Sequence, residues 1–227
     1  MLKVVLPEET IKNYQRLFFQ IGLAVGLHQA VEEQWFNYLK DESIEKINLN
    51  RKEVRDYDDV LKEYVYRYRN FISIRMPHFN EIFIDKGFQR IRVKDTFSIK
   101  DKIEKYNGSN LHGKVILNKC LNDIFGARIL VPFEFDVVQL GEFIEDKCEG
   151  RVCYVDARKD VGYKGLHIYL KNALGHFRWE IQIWHTNDYD NNIRLHERYK
   201  RGYLKDLKDM GAGLNEVSTQ YSNGQWL

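Results

Sequence analysis

Asp123 stands immediately before an apolar run, Ile124 to Pro132, which Gly126 and Arg128 interrupt. A carboxylate at the mouth of a strand suits a hard divalent cation, a glycine permits close backbone approach, and a guanidinium suits a phosphate or a purine face. A strand whose aspartate caps the preceding turn would look the same, so the surroundings must decide. Upstream, Phe88 to Lys94 alternates with period two, setting Arg90, Arg92 and Lys94 on one face and Ile91 and Val93 on the other. Three cations on one strand face repel one another unless an anion or water covers them; an exposed basic edge strand is the competing reading. Downstream, Glu180 and Gln182 project together from a strand at Phe177 to Trp184, with Arg178 and Trp184 on the same side and Phe177, Trp179, Ile181 and Ile183 on the other.

The elements that must position these groups can be read from spacing. Glu8 to about Lys40 is helical, with Leu17, Ile21, Ala24, Val25, Val31 and Trp35 as its apolar stripe and a soft point at Gly22 and Gly26. A second helix is predicted from Arg51 to about Ile74, closed by Pro77. It carries Arg67, Arg69 and Arg75 among tyrosines, which suits either single-stranded nucleic acid or a solvated helix face. After the basic strand comes a helix from about Thr96 to Tyr106. Ser98 and Lys102 share one of its faces, and its N-terminus would attract an anion. A short helix from Val115 to Leu121, a strand at Ala127 to Pro132, a helix at Asp136 to Lys147 and a strand at Arg151 to Arg158 follow. The loop from Lys159 to Gly165 sets Tyr163 between glycines, either to close over a flat base or as a plain turn. His167, Tyr169 and Lys171 alternate along the next strand, and a helix is expected from about Asp188 to Lys208. The division expected is an N-terminal helical extension over 1–80, a core over 81–210 and a loose tail over 211–227.

With 227 residues the chain can bury a substantial core as one large domain with a helical appendage. A formal charge of +2 neither demands nor excludes a polyanionic partner. Aromatic content of 14% implies a tight core or base-stacking surface. No apolar stretch approaches a bilayer span and no signal peptide is evident, so a cytoplasmic protein without a membrane partner is expected. Cys120, Cys148 and Cys153 form no metal-binding pair and read as free thiols. Neither a P-loop nor G-x-G-x-x-G occurs, so phosphate must be bound by side chains.

RVKDTFSIKDKI, LNDIFGARI, VGYKGLH and WEIQI occur in this order between about Arg92 and Lys200. They resemble the successive motifs of the RelA/SpoT synthetase domain of single-domain small alarmone synthetases. The resemblance implies an α+β fold, a nucleotidyltransferase-like mixed sheet of about five strands flanked by helices. It also implies transfer of the β,γ-pyrophosphate of ATP to a ribose 3′-hydroxyl. On this likeness Arg92, Lys94, Ser98, Lys102 and Arg128 bind ATP, and Asp123 and Glu180 form the catalytic acidic pair that holds Mg²⁺. Tyr163 stacks on the acceptor base, and Lys164, His167, Gln182 and Asn192 line the acceptor site. A metal held by two carboxylates and ringed by cations is what phosphoryl-type transfer requires, since its catalysis is mostly positioning and charge neutralisation.

Two departures bear on the acceptor. Where the family reads E-x-Q-I-R-T, this chain has Glu180, Gln182, Trp184 and His185, so a cation is missing; the following helix matches loosely through Asn191, Asn192, His196, Glu197, Tyr199 and Lys200. The acceptor is therefore GDP or GTP, giving (p)ppGpp-type alarmones, or the 3′ CCA end of tRNA, as in toxic members held by an antitoxin protein. Arg67, Arg69, Arg75 and Arg198 to Arg201 would serve the tRNA reading. An inactive nucleotide- or RNA-binding module is the third reading. The N-terminal helices are candidates for covering the sheet, docking a partner or forming a homo-oligomer, and the absence of a His-Asp dipeptide leaves no sign of the family's hydrolase half.

Overall fold

The apolar stripe of the first helix is buried, and the helix is not broken at its glycines. In the computed structural model, which describes residues 8–108, 113–148, 152–158, 162–170 and 177–197, α1 runs unbroken over Glu8–Asp41. Leu17, Ile21, Ala24, Val25, Val31 and Trp35 all face the core. Gly22 and Gly26 lie on the exposed side, where an added Cβ would meet nothing within 4 Å. Each glycine therefore costs helix stability without a packing return. Replacing both by Ala should raise stability by about 1–2 kcal/mol in urea unfolding and leave activity unchanged.

The second helix departs from expectation at both ends. α2 spans Asp59–Asp85, with Asp58 as its N-cap accepting from the Leu61 N–H, and Pro77 lies inside it. Residues 49–51 and 54–56 are instead short 3₁₀ turns. They are tied to the segment before the next short helix by Val54 N–H to Val115 O and Leu117 N–H to Lys52 O. Pro77 removes one helical hydrogen bond, yet the turns beyond it bury Phe79 and Phe83 against Phe125, Trp179 and Phe88, and that burial outweighs the lost bond. The position between residues 80 and 81, where the helical extension is expected to end, falls inside α2.

Five strands form one mixed sheet in the order β1-β2-β5-β4-β3. β1 (Phe88–Val93) is an edge, antiparallel to β2 (Phe125–Val131); β2 is parallel to β5 (Trp179–His185). β4 (Gly165–Leu170) is antiparallel to β5 and to β3 (Val152–Arg158). α3 (Thr96–Gly108), α4 (Leu117–Cys120) and α5 (Val137–Lys147) fill the connections, and residues 189–197 are helical. This is the α+β architecture expected, with five strands. One face of the central strands turns Phe125, Ala127, Ile129, Trp179, Ile181 and Ile183 into a core shared with α1 and α2. The abundant aromatics are spent there: Phe125 and Trp179 lie 4.0 Å apart between ring centres, and Tyr68 stacks on Phe177 at 3.9 Å.

A buried polar chain joins this helical layer to β5. Trp179 Nε1 donates to the Tyr68 hydroxyl at 3.0 Å, Tyr68 donates to Glu32, and His28 bonds the Phe177 carbonyl at 2.9 Å. Burial drives His28 down to about 4, so it is neutral at physiological pH. Cys120 and Cys148 are buried free thiols. Among the described residues, no helix is long and apolar enough to cross a membrane. Residues 1–7, the beginning of the Tyr163 loop, Lys171, Arg198 to Arg201 and the tail lie outside the described residues, as does the Cys153 side chain.

Candidate active site

The other face of the central strands gathers most of the residues singled out above. Register does this: Gly126 lies opposite both Arg92 on β1 and Glu180 on β5, and Arg128 lies opposite Arg90 and Gln182. On the far side of β5, His167 pairs with Gln182 and Tyr169 with Glu180. A Cβ on Gly126 would sit 3.3 Å from Arg92 Nε, so the glycine lets the Arg92 arm cross the strand.

Asp123 ends the turn after α4 and is buried. Lys94 Nζ donates to its Oδ2 at 2.7 Å and Lys102 Nζ to its Oδ1 at 2.8 Å, with Asn122 Oδ1 also 3.0 Å from Lys102. Arg92 Nη2 lies 3.6 Å from Asp123 Oδ2 and 4.0 Å from Glu180 Oε2. One guanidinium nitrogen thus faces both carboxylates. Lys94 is itself held by its N–H to Ile124 O and by Arg69 Nε donating to its carbonyl.

Glu180 is buried and accepts from three groups: His167 Nδ1 at 2.8 Å and Tyr169 OH at 3.1 Å on Oε1, and Gln182 Nε2 at 3.0 Å on Oε2. Burial opposes ionisation at both acids. At Asp123 the charges of Lys102, Lys94 and Arg92 overcome it and hold the carboxyl well below its usual range. At Glu180 the His167 hydrogen bond and charge do so, bringing it down to about 2. Both are carboxylates at neutral pH. Because the folded value of Glu180 is depressed, its stabilisation is complete above about pH 4.5 and disappears as pH falls towards 2. The pH dependence of acid unfolding should therefore be shallower over that window in Glu180→Gln than in the parent.

Beyond the acids, Gln182 Oε1 accepts from Arg128 Nε at 3.1 Å and Nη2 at 2.8 Å. The Arg128 guanidinium lies 3.4 Å from the centre of a Trp184 ring. Its Nη1 is buried with no hydrogen-bond partner among the described residues. Burial, with the charges of Arg90 and Arg92 adding, lowers Arg128 to about 10, still cationic at neutral pH. Three arginines, one of them with a buried and unpaired guanidinium nitrogen, make an anion-seeking edge.

Tyr163 does not stand open on its loop. Its hydroxyl bonds His167 Nε2 at 2.7 Å and accepts from Trp184 Nε1 at 2.9 Å. Asn192 is completely buried, and its amide spans Lys164, accepting from the N–H at 3.2 Å and donating to the carbonyl at 2.7 Å. The Asn192 side chain holds the Tyr163 loop from beneath, whereas Lys164 is exposed. Ser98 is engaged locally: Asp95 Oδ1 accepts from its N–H at 2.7 Å and Asp95 Oδ2 from its hydroxyl at 2.8 Å. The α3 N-terminus, read above as an anion cradle, is already capped by that aspartate.

Spacing alone did not single out Tyr169, Asn122 and Arg69 as parts of this network. Tyr169 had a signal, lying two residues from His167 on one strand face. Arg69 and Asn122 had none, because their partners are set by packing between distant segments.

A search of curated proteins found no match. Solved structures similar to this chain include the crystal structure of small alarmone synthetase 1 from Bacillus subtilis bound to its product pppGpp. It is 18% identical, covering 72% of this chain and 96% of that one, with a TM-score of 0.38. A second structure of that synthetase gives 18% identity, the same coverages and a TM-score of 0.35. A third, bound to AMPCPP, gives 18% identity, 64% and 82% coverage and a TM-score of 0.32. The family description "region found in RelA / SpoT proteins" matches residues 91–203, a span that contains every candidate site residue from Arg92 to Asn192. On that match the chain belongs to the RelA/SpoT family.

Proposed function

We propose that the chain is an ATP-dependent pyrophosphokinase that transfers the β,γ-pyrophosphate of ATP to the ribose 3′-hydroxyl of GDP or GTP, a (p)ppGpp-type alarmone synthesis. The observation that carries this reading is the ionised pair Asp123 and Glu180 facing one guanidinium nitrogen, with Lys94, Lys102 and Arg92 ranged about it. An inactive binding module has no need of two ionised carboxylates beside a polyanion.

In this reading Lys94, Lys102, Arg92 and Arg128 neutralise the triphosphate, whose negative charge would offset the unpaired, buried Arg128 Nη1. The acceptor 3′-oxygen bonds to the β-phosphorus as the bond from that phosphorus to the α,β-bridging oxygen breaks, and AMP departs with the electron pair. The hydroxyl proton leaves to Glu180 or water. Tyr163 and Lys164 receive the acceptor, with Gln182 and His167 beneath and Asn192 fixing the loop.

A magnesium ion belongs to this reading, and to meet it Asp123 must exchange the ammonium groups of Lys94 and Lys102 that its two oxygens hold. Mg²⁺ is commonly held by one or two carboxylates plus substrate phosphates, and the described residues offer these two oxygen donors with no group of three or more His, Cys, Asp or Glu. Asp123 and Glu180 would hold it, and when bound it neutralises phosphate charge and activates the attacking hydroxyl. Transfer should therefore vanish on chelation and return with added Mg²⁺, as measured by AMP release.

Among the described residues, the α2 arginines that would serve tRNA are engaged locally, which supports GDP or GTP as the acceptor. Arg67 pairs with Glu63 at 2.7 Å, Arg69 with Lys94 O, and Arg75 with the Phe71 carbonyl and ring. The decisive experiment offers γ-labelled ATP with GDP, GTP and deacylated tRNA side by side. Label in a 3′-pyrophosphorylated guanine nucleotide, with stoichiometric AMP, is the expected result. Label only in RNA makes tRNA the acceptor and the protein a translation-blocking toxin; nucleotide binding without AMP release rejects the enzyme reading.

A further inference from the structure

Trp184 takes no part in the acid pair, yet it touches both halves of the site. It is wholly buried near the end of β5. The Arg128 guanidinium rests 3.4 Å from its ring centre, while its Nε1 donates to the Tyr163 hydroxyl at 2.9 Å. Gly165 makes room for this arrangement. A Cβ there would stand 2.9 Å from both Cδ1 and Nε1 of the indole and 3.2 Å from the Tyr163 hydroxyl.

Arg128 is consequently held along an edge and on a face. Gln182 takes Nε and Nη2, and the guanidinium carbon lies 3.4 Å from the indole ring centre, which leaves Nη1 as a buried donor with no partner among the described residues. A guanidinium fixed flat in this way has lost its rotamer freedom before a ligand arrives, so less affinity is spent on ordering it. An arginine in place of Trp184 would add a fourth cation to Arg90, Arg92 and Arg128, and would offer no planar floor. The indole instead supplies a neutral stacking surface and a single N–H aimed at Tyr163.

We propose that Trp184 is a positioning residue that couples the two subsites, its ring fixing Arg128 for the donor nucleotide and its N–H fixing Tyr163 for the acceptor. This rests on the donor and acceptor assignments proposed above. The two functions separate by substitution. Trp184→Phe keeps a ring against Arg128 and deletes the N–H; Trp184→Leu removes both; Tyr163→Phe deletes the hydroxyl from the other side.

The test combines equilibrium titrations of a non-hydrolysable ATP analogue, GDP and deacylated tRNA with steady-state kinetics on the full chain. Trp184→Phe should hold the analogue within about threefold of the parent and weaken the acceptor about tenfold in Kd and KM, with little change in kcat. Trp184→Leu should weaken the analogue about tenfold as well. Because one hydrogen bond is at stake, the double variant Trp184→Phe, Tyr163→Phe should bind acceptor no more weakly than Tyr163→Phe alone. An unchanged acceptor Kd in Trp184→Phe, an equal loss for donor and acceptor, or an additive double variant overturns the coupling role. Should Trp184→Leu fail to fold, the two Phe variants decide alone. If the parent protein binds nucleotides but transfers no pyrophosphate, the proposed reaction fails and the titrations still judge Trp184. If no acceptor binds, the acceptor half of the coupling is overturned.

Discussion

Asp123→Asn is expected to lose pyrophosphate transfer by about 10² to 10³-fold or more and, before substrate is added, to melt well below the parent. Both effects come from one charge. Lys94 and Lys102 spend their ammonium groups on the two Asp123 oxygens, and Arg92 leans on the same carboxylate. Without it three cations face one another in a largely buried space, and breaking such a cluster from one side costs about 3–5 kcal/mol. The lysine side chains retain 12% and 22% of their exposure, so the lower end of that range applies. A triphosphate brings its own negative charge to the same groups. A non-hydrolysable ATP analogue should therefore recover much of the lost melting temperature, while turnover stays absent. Thermal melts with and without the analogue, beside AMP release, check this. Turnover at the parental rate would end the assignment of Asp123 to the reaction, and an unchanged melting temperature would end its role as the counter-charge of the lysines.

Trp179→Ala tests the opposite face of the same strand. The indole is wholly buried, packs 4.0 Å from Phe125 between ring centres, and donates to Tyr68, which in turn donates to Glu32. Truncation removes a large apolar group, leaves a cavity between β5 and the helical layer, and strips Tyr68 of a donor. A loss of about 3–5 kcal/mol in urea unfolding is expected. Trp179→Phe should recover most of the packing and lose only the hydrogen bond, about 1 kcal/mol. Because Glu180 is the next residue on β5, Trp179→Ala should also lower kcat; an alanine variant as stable as its parent would mean that the helical layer does not depend on this contact.

Much of the site was legible in the residues themselves. Period two on β1 and β5 correctly set Arg92 with Lys94 and Glu180 with Gln182, because strand alternation is local geometry that sequence spacing encodes directly. Charge and donor type on those faces likewise pointed towards the phosphate chemistry proposed above. Where local rules failed, long-range burial won. Pro77 reads as a helix end, but Phe79 and Phe83 had partners across the sheet that no spacing within α2 reveals. Asn192 read as an acceptor contact, and the fold adds that its amide bonds both backbone groups of Lys164. Trp184 stood out only as a missing cation, whereas its stack on Arg128 depends on where β2 and β5 lie side by side.

The amino-acid sequence by itself determined which faces exist, which of them carry charge, and the RelA/SpoT motifs in their order. Tertiary structure alone decided which faces meet: the parallel register of β2 on β5, the approach of Asp123 to Glu180 through Arg92, and the closing of Tyr163 onto Trp184 and His167. The reason is physical. Alternation and helical period are properties of neighbouring residues, but the pairing of segments such as those 21 to 111 positions apart is chosen by the packing of the whole core.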